Sequence, residues 1–71
     1  MNVQNFTLKG LRKLREVQAN KIAEHIGLTL KTYYILERDP YRFRIEQAVK
    51  ICEILRIDIS DFLSLQREAI E

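Results

Sequence analysis

Residues 19–38 constrain the fold of this chain more than any other stretch, because they read as two short helices joined at a sharp corner. Gly27 marks the corner, since a left-handed backbone conformation is least costly for a residue without a Cβ atom. Thr29 follows as a cap, because its hydroxyl can accept a hydrogen bond from the first turn of the next helix. The apolar residues of the first of these two helices share one face: Ile22, Ala23 and Ile26.

The helix after the corner is predicted over residues 30–38, with Tyr33 and Leu36 turned inward to join Leu28 in a small apolar cluster. Ala23 matters through its size, since two helices that cross steeply after a short turn need a small side chain where they touch. A generic helical hairpin also has a glycine and inward apolar residues. The joint spacing is more restrictive, and it favours a pair of helices that reads DNA.

Residues 19–38 resemble the helix-turn-helix of the phage lambda repressor and Cro-like family, also called the xenobiotic-response-element (XRE) family of bacterial regulators. Leu8, Leu11 and Arg12 resemble the first helix of that family. Residues 55–63 resemble its Leu-Gly-Val-Ser-x-x-x-Leu-Leu ending. The resemblance covers about residues 7–64. It implies an all-α, compact five-helix DNA-binding domain in which helices 2 and 3 form the helix-turn-helix.

The resemblance also implies a partly buried ion pair between Arg12 and Glu37, which would tie the first helix to the end of the third. From the residues alone, the alternative is two exposed charges that contribute little to stability. In the family, a glutamine one position after the cap of the second helix often holds a DNA phosphate. This chain has Ala19 at that position, so Gln18 or Asn20 would have to substitute.

The composition predicts one globular domain over residues 1–71, with 46% hydrophobic and 31% charged residues. The net charge of +2 is small but unevenly distributed. Residues 1–38 hold seven Lys/Arg and three Asp/Glu, whereas residues 39–71 hold five and seven. The basic half contains the helix-turn-helix, which suits a surface that faces phosphates, although small proteins often show such asymmetry by chance.

The residue patterns that disulfides, membrane spans, metal sites and catalysis require do not occur in this sequence. The single cysteine, Cys52, is interpreted as a core residue, and it allows no internal disulfide, which favours a cytoplasmic location. No apolar run approaches the roughly 20 residues of a membrane span. His25 stands without other metal ligands, and there is no glycine-rich phosphate loop or nucleophile–base pattern. We therefore expect no enzyme, metal, cofactor, small-molecule ligand or membrane partner.

The remaining helices are predicted from their caps and apolar periodicity. Residues 1–5 are expected to fray, and the first helix is predicted over 7–17, capped by Thr7. Gln18 is a plausible cap for the second helix, over 19–26, and Asp58 for a short fifth helix. The predicted inward residues of the first helix are Leu8, Leu11 and Leu14, and those of the fourth, over 45–56, are Ile45, Ala48, Val49, Cys52 and Leu55.

The predicted DNA contacts come from the start of the second helix, from the third helix and from the loop after it. They are Gln18, Asn20, Thr29, Leu30, Lys31, Thr32, Tyr34, Ile35, Arg38, Arg42 and Arg44. In the loop, the arginines alternate with Tyr41 and Phe43, which suits a grip on the DNA backbone, while Phe43 can also anchor the loop in the core.

The third helix departs from the family at the positions that meet base edges. The usual residues there are polar, but Leu30 and Ile35 can only contact a thymine methyl group or exclude water. Lys31 can donate to guanine or to a phosphate. Such an apolar row has two interpretations: a DNA site read through thymine methyl groups and DNA shape, or a face that binds another protein.

The last part of the chain has more apolar residues than a domain of this size needs. We interpret the surplus as a homodimer interface formed by Ile57, Ile59, Phe62 and Leu65, with Ile70 adding to it. The alternative is a fifth helix that simply packs on the core. The chain is expected to lack an effector domain. The predicted function is a sequence-specific DNA-binding regulator, a repressor, and the alternative is a protein-interaction module such as an antitoxin or anti-repressor.

Overall fold

Five α-helices follow one another in the computed structural model, which describes residues 6–68. They are α1 (Leu8–Leu14), α2 (Ala19–His25), α3 (Leu30–Glu37), α4 (Ile45–Leu55) and α5 (Ile59–Leu63), with a 3₁₀ turn at Pro40–Arg42. The predicted all-α, five-helix architecture is confirmed. The expected fraying of residues 1–5 and the interface position Ile70 lie outside the described residues.

The helices begin where polar side chains satisfy their first amides. Gly10 N donates to Thr7 Oγ1 at 3.0 Å, and Thr32 N donates to Thr29 Oγ1 at 3.2 Å, which confirms both threonine caps. Gln18 stands at the predicted position before α2, but its side chain makes no capping hydrogen bond. The Gln18 backbone carbonyl instead accepts from Lys21 N at 3.1 Å and from Ile22 N at 3.4 Å.

The later helices use side chains inside the first turn to bind the preceding backbone. Arg44 N donates to Gln47 Oε1 at 3.0 Å before α4, and Asp58 N donates to Asp61 Oδ2 at 3.3 Å before α5. Gln47 thus supplies at the start of α4 the side-chain acceptor that Phe43 and Arg44 lack.

The corner between α2 and α3 has the expected backbone. Gly27 has a φ of +76°, and Leu28 N donates to Ala23 O at 2.9 Å, which closes the end of α2. A Cβ atom on Gly27 would meet nothing within 4 Å, so the backbone conformation alone requires glycine here.

One core joins all five helices. Ala23 in α2 is 2% exposed, and Cys52 is buried in α4 as predicted. Three aromatic rings connect the later elements: Phe43 lies 6.0 Å from Tyr33 and 6.2 Å from Phe62, measured between ring centroids. Phe43 therefore does anchor the loop between α3 and α4.

Two predicted apolar faces are wrong in part. Helix α1 ends at Leu14 rather than Val17, because Glu16 adopts a left-handed backbone with φ of 58°, and Leu14 is 54% exposed. In α4 the buried stripe is Ala48, Ile51, Cys52 and Leu55. Ile45 and Val49 were expected to face inward but are exposed, because the core meets the opposite flank of this stripe, where Ile51 is completely buried.

The predicted dimer interface also needs correction. Phe62 and Leu65 are 2% and 1% exposed within a single chain, so they belong to its core and leave almost no surface for a partner. Ile57 is half-buried against the same core, whereas Ile59 is exposed. No helix among residues 6–68 is long and apolar enough to cross a membrane.

Candidate nucleic-acid interface

Helix α3 is held by one face and exposes the other. Tyr33 is completely buried and Glu37 is 3% exposed, while Leu36 packs at the edge of the core. On the opposite side, the structure exposes every residue of α3 that the sequence analysis assigned to DNA: Leu30, Lys31, Thr32, Tyr34 and Ile35. This arrangement leaves one long side of α3 exposed, and the major groove of DNA is wide enough to admit an α-helix.

A buried ion pair fixes α3 against α1. Arg12 Nε donates to Glu37 Oε2 at 2.8 Å, and Arg12 Nη1 donates to Val17 O at 3.2 Å. Burial opposes the charged form of Arg12, but the hydrogen bond and the negative charge of Glu37 outweigh it and raise the pKa of Arg12. The pair implied by the resemblance is therefore present, and it ties α1 to the end of α3.

Tyr33 lies beside this ion pair. Burial raises the pKa of Tyr33 well above its ordinary value of 10, and the nearby Glu37 carboxylate, as an acceptor and as a negative charge, adds to the effect. Although this carboxylate is close, the Tyr33 hydroxyl makes no hydrogen bond of good geometry with any described residue. The Tyr33 ring is thus a neutral core group beneath the exposed side of α3, with its ring centroid 6.1 Å from that of Tyr34.

The exposed side of α3 continues into a cleft toward the 3₁₀ turn. The cleft has a volume of about 420 Å³ and is lined by Lys31, Tyr34, Ile35, Arg38, Asp39 and Arg42. Five of these six are predicted DNA contacts, so the fold brings together residues from α3 and from the loop. The sixth, Asp39, has its Oδ1 atom 3.3 Å from Arg67 Nε, which offsets its charge.

The other predicted contacts are exposed but lie outside this cleft. Gln18 and Asn20 stand at the start of α2, and Arg44 immediately precedes α4. The Thr29 and Thr32 hydroxyls, at the start of α3, are 3.0 Å apart and bonded to each other. These residues can contribute at the margins of an interface centred on α3.

Tyr41 is not part of this exposed surface, although the sequence pattern placed it with the arginines. Its hydroxyl donates to Leu63 O at 2.7 Å, and the Arg67 guanidinium lies 5.8 Å from its ring centroid. The segment that follows α5 also reaches the end of α3, where Glu68 N donates to Arg38 O at 3.1 Å. No local sequence signal predicts these contacts, because the paired residues are more than 20 positions apart.

Lys9 is an exposed basic residue outside the predicted DNA contacts. It lines a second cleft of about 300 Å³ with Tyr34, Glu37, Arg38 and Glu68, next to the exposed side of α3. Within residues 6–68 no group of three or more His, Cys, Asp or Glu side chains is arranged to hold a metal ion.

The chain belongs to the Cro/C1-type helix-turn-helix DNA-binding domains, since the model of that family matches residues 7–68 of its 71. No curated protein and no solved structure matches the chain. Membership of this family makes the protein a DNA-binding regulator whose partner is double-stranded DNA.

Proposed function

We propose that the protein is a sequence-specific transcriptional repressor that places α3 in the major groove of DNA. The observation that carries this proposal is the cleft beside α3, where Lys31, Arg38 and Arg42 surround the exposed side chains of Tyr34 and Ile35. The cations suit phosphates, and the exposed side chains of α3 suit base edges. Repression follows if the bound protein blocks access of the polymerase to a promoter.

The start of α2 supports the same orientation. Its first amides lack a side-chain cap from Gln18, and both Gln18 and Asn20 are exposed there. An anion is favoured at a helix N-terminus, so α2 can cross a backbone phosphate while α3 enters the groove. In this proposal the protein acts by binding DNA rather than by catalysis, and it is located in the cytoplasm.

We also propose that the repressor is a homodimer, with a contact different from the one first expected. An apolar surface formed by α4, α5 and the 3₁₀ turn exposes Tyr41, Ile45, Ile59 and Leu63 around a shallow depression of about 200 Å³. Exposed apolar surfaces of this kind are common in subunit contacts. Of the four interface residues first expected, Ile59 is exposed on this surface, and the buried Phe62 lines its depression.

Binding of DNA by α3 is tested with Lys31→Ala and Tyr34→Ala, measured by fluorescence anisotropy on duplexes selected from a random library. We expect both variants to lose affinity. Tyr34→Ala should also change base preference, whereas Lys31→Ala should lower the salt dependence because a phosphate contact is lost. Lys50→Ala, an exposed lysine on α4, is the matched control and should bind normally. Unchanged base preference in both α3 variants would show that α3 is not the reading element.

One observation favours a second candidate function. Leu30, Tyr34 and Ile35 are 40%, 47% and 51% exposed, which is a large apolar share for a helix that reads bases. Such a face also suits a protein partner, as in an antitoxin or an anti-repressor. A stoichiometric partner that is lost in Leu30→Glu, from a protein that retains no DNA, would favour this function over repression.

A further inference from the structure

The cleft beside α3 contains an exposed apolar side chain that can distinguish one of the four bases from the others. Ile35 is 51% exposed and has no group that can donate or accept a hydrogen bond. In the major groove, each base pair presents hydrogen-bonding groups, and only thymine adds a methyl group. A base edge placed against Ile35 therefore gains from the contact only if it carries a C5-methyl group.

Charges around the cleft determine what kind of molecule can enter it. Lys31, Arg38 and Arg42 line it together with a single carboxylate, Asp39. That carboxylate lies 3.3 Å from Arg67 Nε, so the cleft retains an excess of positive charge. An apolar peptide would leave these cations without partners, whereas the phosphates on both sides of a major groove match them.

We propose that Ile35, supported by the Tyr34 ring, forms a thymine-methyl reading site, so that the operator is chosen by where its thymines stand. This inference rests on the proposed DNA-binding function and specifies the base that α3 selects. Lys31 in α3, Arg38 directly after it and Arg42 in the 3₁₀ turn line the same cleft and hold the flanking phosphates. Leu30 lies outside the cleft and is not needed for the selection.

The test removes only the methyl group. In the tightest duplex from a random library, each thymine is replaced in turn by deoxyuridine, and affinity is measured by anisotropy. We expect one or two positions in each half-site at which the replacement weakens binding about fourfold, the factor that corresponds to one buried methyl-sized group. The remaining replacements should leave affinity unchanged.

A variant cycle identifies the side chain that contacts the methyl group. Ile35→Ala should bind the thymine and uracil duplexes equally at those positions, because the partner of the methyl group is gone. Ile35→Val should keep part of the preference. Leu14→Ala, which shortens another exposed apolar side chain outside the cleft, should keep all of it. Because the ratio of thymine to uracil affinity is compared between variants, any effect of uracil on duplex shape is common to all of them and cancels.

The outcomes separate this inference from the proposed function. If the wild-type protein binds selected DNA tightly and uracil replacement has no effect at any position, methyl reading is wrong and DNA binding stands. A thymine preference that persists in Ile35→Ala would also overturn the assignment to Ile35. If the wild-type protein, shown to be folded by circular dichroism, selects no duplex, the proposed function and this inference fail together.

Discussion

Arg12 and Glu37 are the charged side chains that the described part of the core buries, and their contact carries more consequence than any surface ion pair. Burying two charges costs solvation free energy, which their attraction offsets. Removing one partner leaves the other charge buried and unpaired, and the domain then loses stability. Asp39 and Arg67 offer the contrast, because the Arg67 side chain is 66% exposed and water screens the pair. We therefore expect the Arg12–Glu37 pair to contribute to stability and the Asp39–Arg67 pair to contribute little.

Replacing Glu37 by glutamine should destabilise the domain by about 3 kcal/mol, because Arg12 would remain buried without a counter-charge. The measurement is the free energy of unfolding from urea denaturation. Glu24→Gln, at an exposed position of α2, is the matched control and should change stability by less than about 0.5 kcal/mol. A loss below about 1 kcal/mol in Glu37→Gln would mean that the charge of the pair contributes little.

Tyr33 gives a pH-dependent prediction. Because its pKa is raised in the folded state, the folded protein keeps the phenol proton at a pH where the unfolded chain releases it. The stability that this provides is complete below about pH 10, the unfolded pKa, and is lost as pH rises toward the folded pKa.

Tyr33→Phe removes this ionisable group and a hydroxyl that lacks a partner. We expect the variant to be more stable than the wild type by about 1 kcal/mol at neutral pH, and by a growing margin above pH 10. Urea denaturation at pH 7 and at several values above pH 9 measures both effects. A variant that is less stable at pH 7 would show that the hydroxyl makes a hydrogen bond with the neighbouring ion pair.

At the scale of elements, three helices are each followed, within two residues, by a residue in the left-handed backbone conformation. Gly27 follows α2 with a φ of +76°, and Glu16 and Arg56 have φ of 58° and 59° after α1 and α4. The conformation is easily adopted by glycine and is less favourable for the two longer residues. The glycine corner is thus one of three similar helix ends, and it is the only one of these three in which the residue matches the backbone.

Substitutions at these ends should have opposite effects. Gly27→Ala should destabilise the domain by about 1 kcal/mol through backbone strain alone, since a Cβ atom there meets nothing within 4 Å. Arg56→Gly should stabilise it by about 0.5–1 kcal/mol. Thermal unfolding followed by circular dichroism measures both, with Lys13→Gly inside α1 as a destabilising control. Equal stability of Gly27→Ala and wild type would contradict the strain argument.

Element boundaries were predictable where their causes are local. Thr7 and Thr29 begin helices and Gly27 ends one because each acts on amides or carbonyls a few residues away. The end of α1 was missed, because Glu16 carries no sequence signal for a left-handed backbone. The face of α4 was missed in part, because its apolar residues outnumber those that one buried stripe can hold.

At the scale of the whole molecule, the two proposed surfaces have no lining residue in common, although both border the 3₁₀ turn. DNA is proposed to meet the side of α3 that carries Lys31 and Arg38, while a second copy meets the α4–α5 surface that carries Ile45 and Leu63. A dimer formed in this way leaves both α3 helices free, so that each can enter one half-site. In this proposal, tight binding requires both contacts.

Ile45→Glu should therefore abolish dimers, because it places a charge on a contact that must lose water. Light scattering after size exclusion should give the 8.5 kDa mass of one chain for the variant and twice that mass for the wild type. Leu14→Glu introduces the same charge at another exposed leucine and should leave the dimer intact. A wild-type protein that stays monomeric at high concentration would exclude this dimer.

What the sequence by itself determined is local: the glycine corner, the threonine caps, the order of the helices and the family to which they belong. These follow from interactions within a few residues, which a pattern of residue types records directly. It also indicated which side of α3 is free, because the inward residues Tyr33 and Leu36 leave only the opposite side.

Only the tertiary structure decided which apolar residues have surface left for a partner. Phe62 and Leu65 are covered by the core while Ile45 and Leu63 are not, because burial depends on elements that meet from distant parts of the chain. The same reason explains the cleft, in which Arg42 of the 3₁₀ turn lies beside Lys31 and Ile35 of α3. Their proximity depends on how α3, the turn and the segment after α5 pack together.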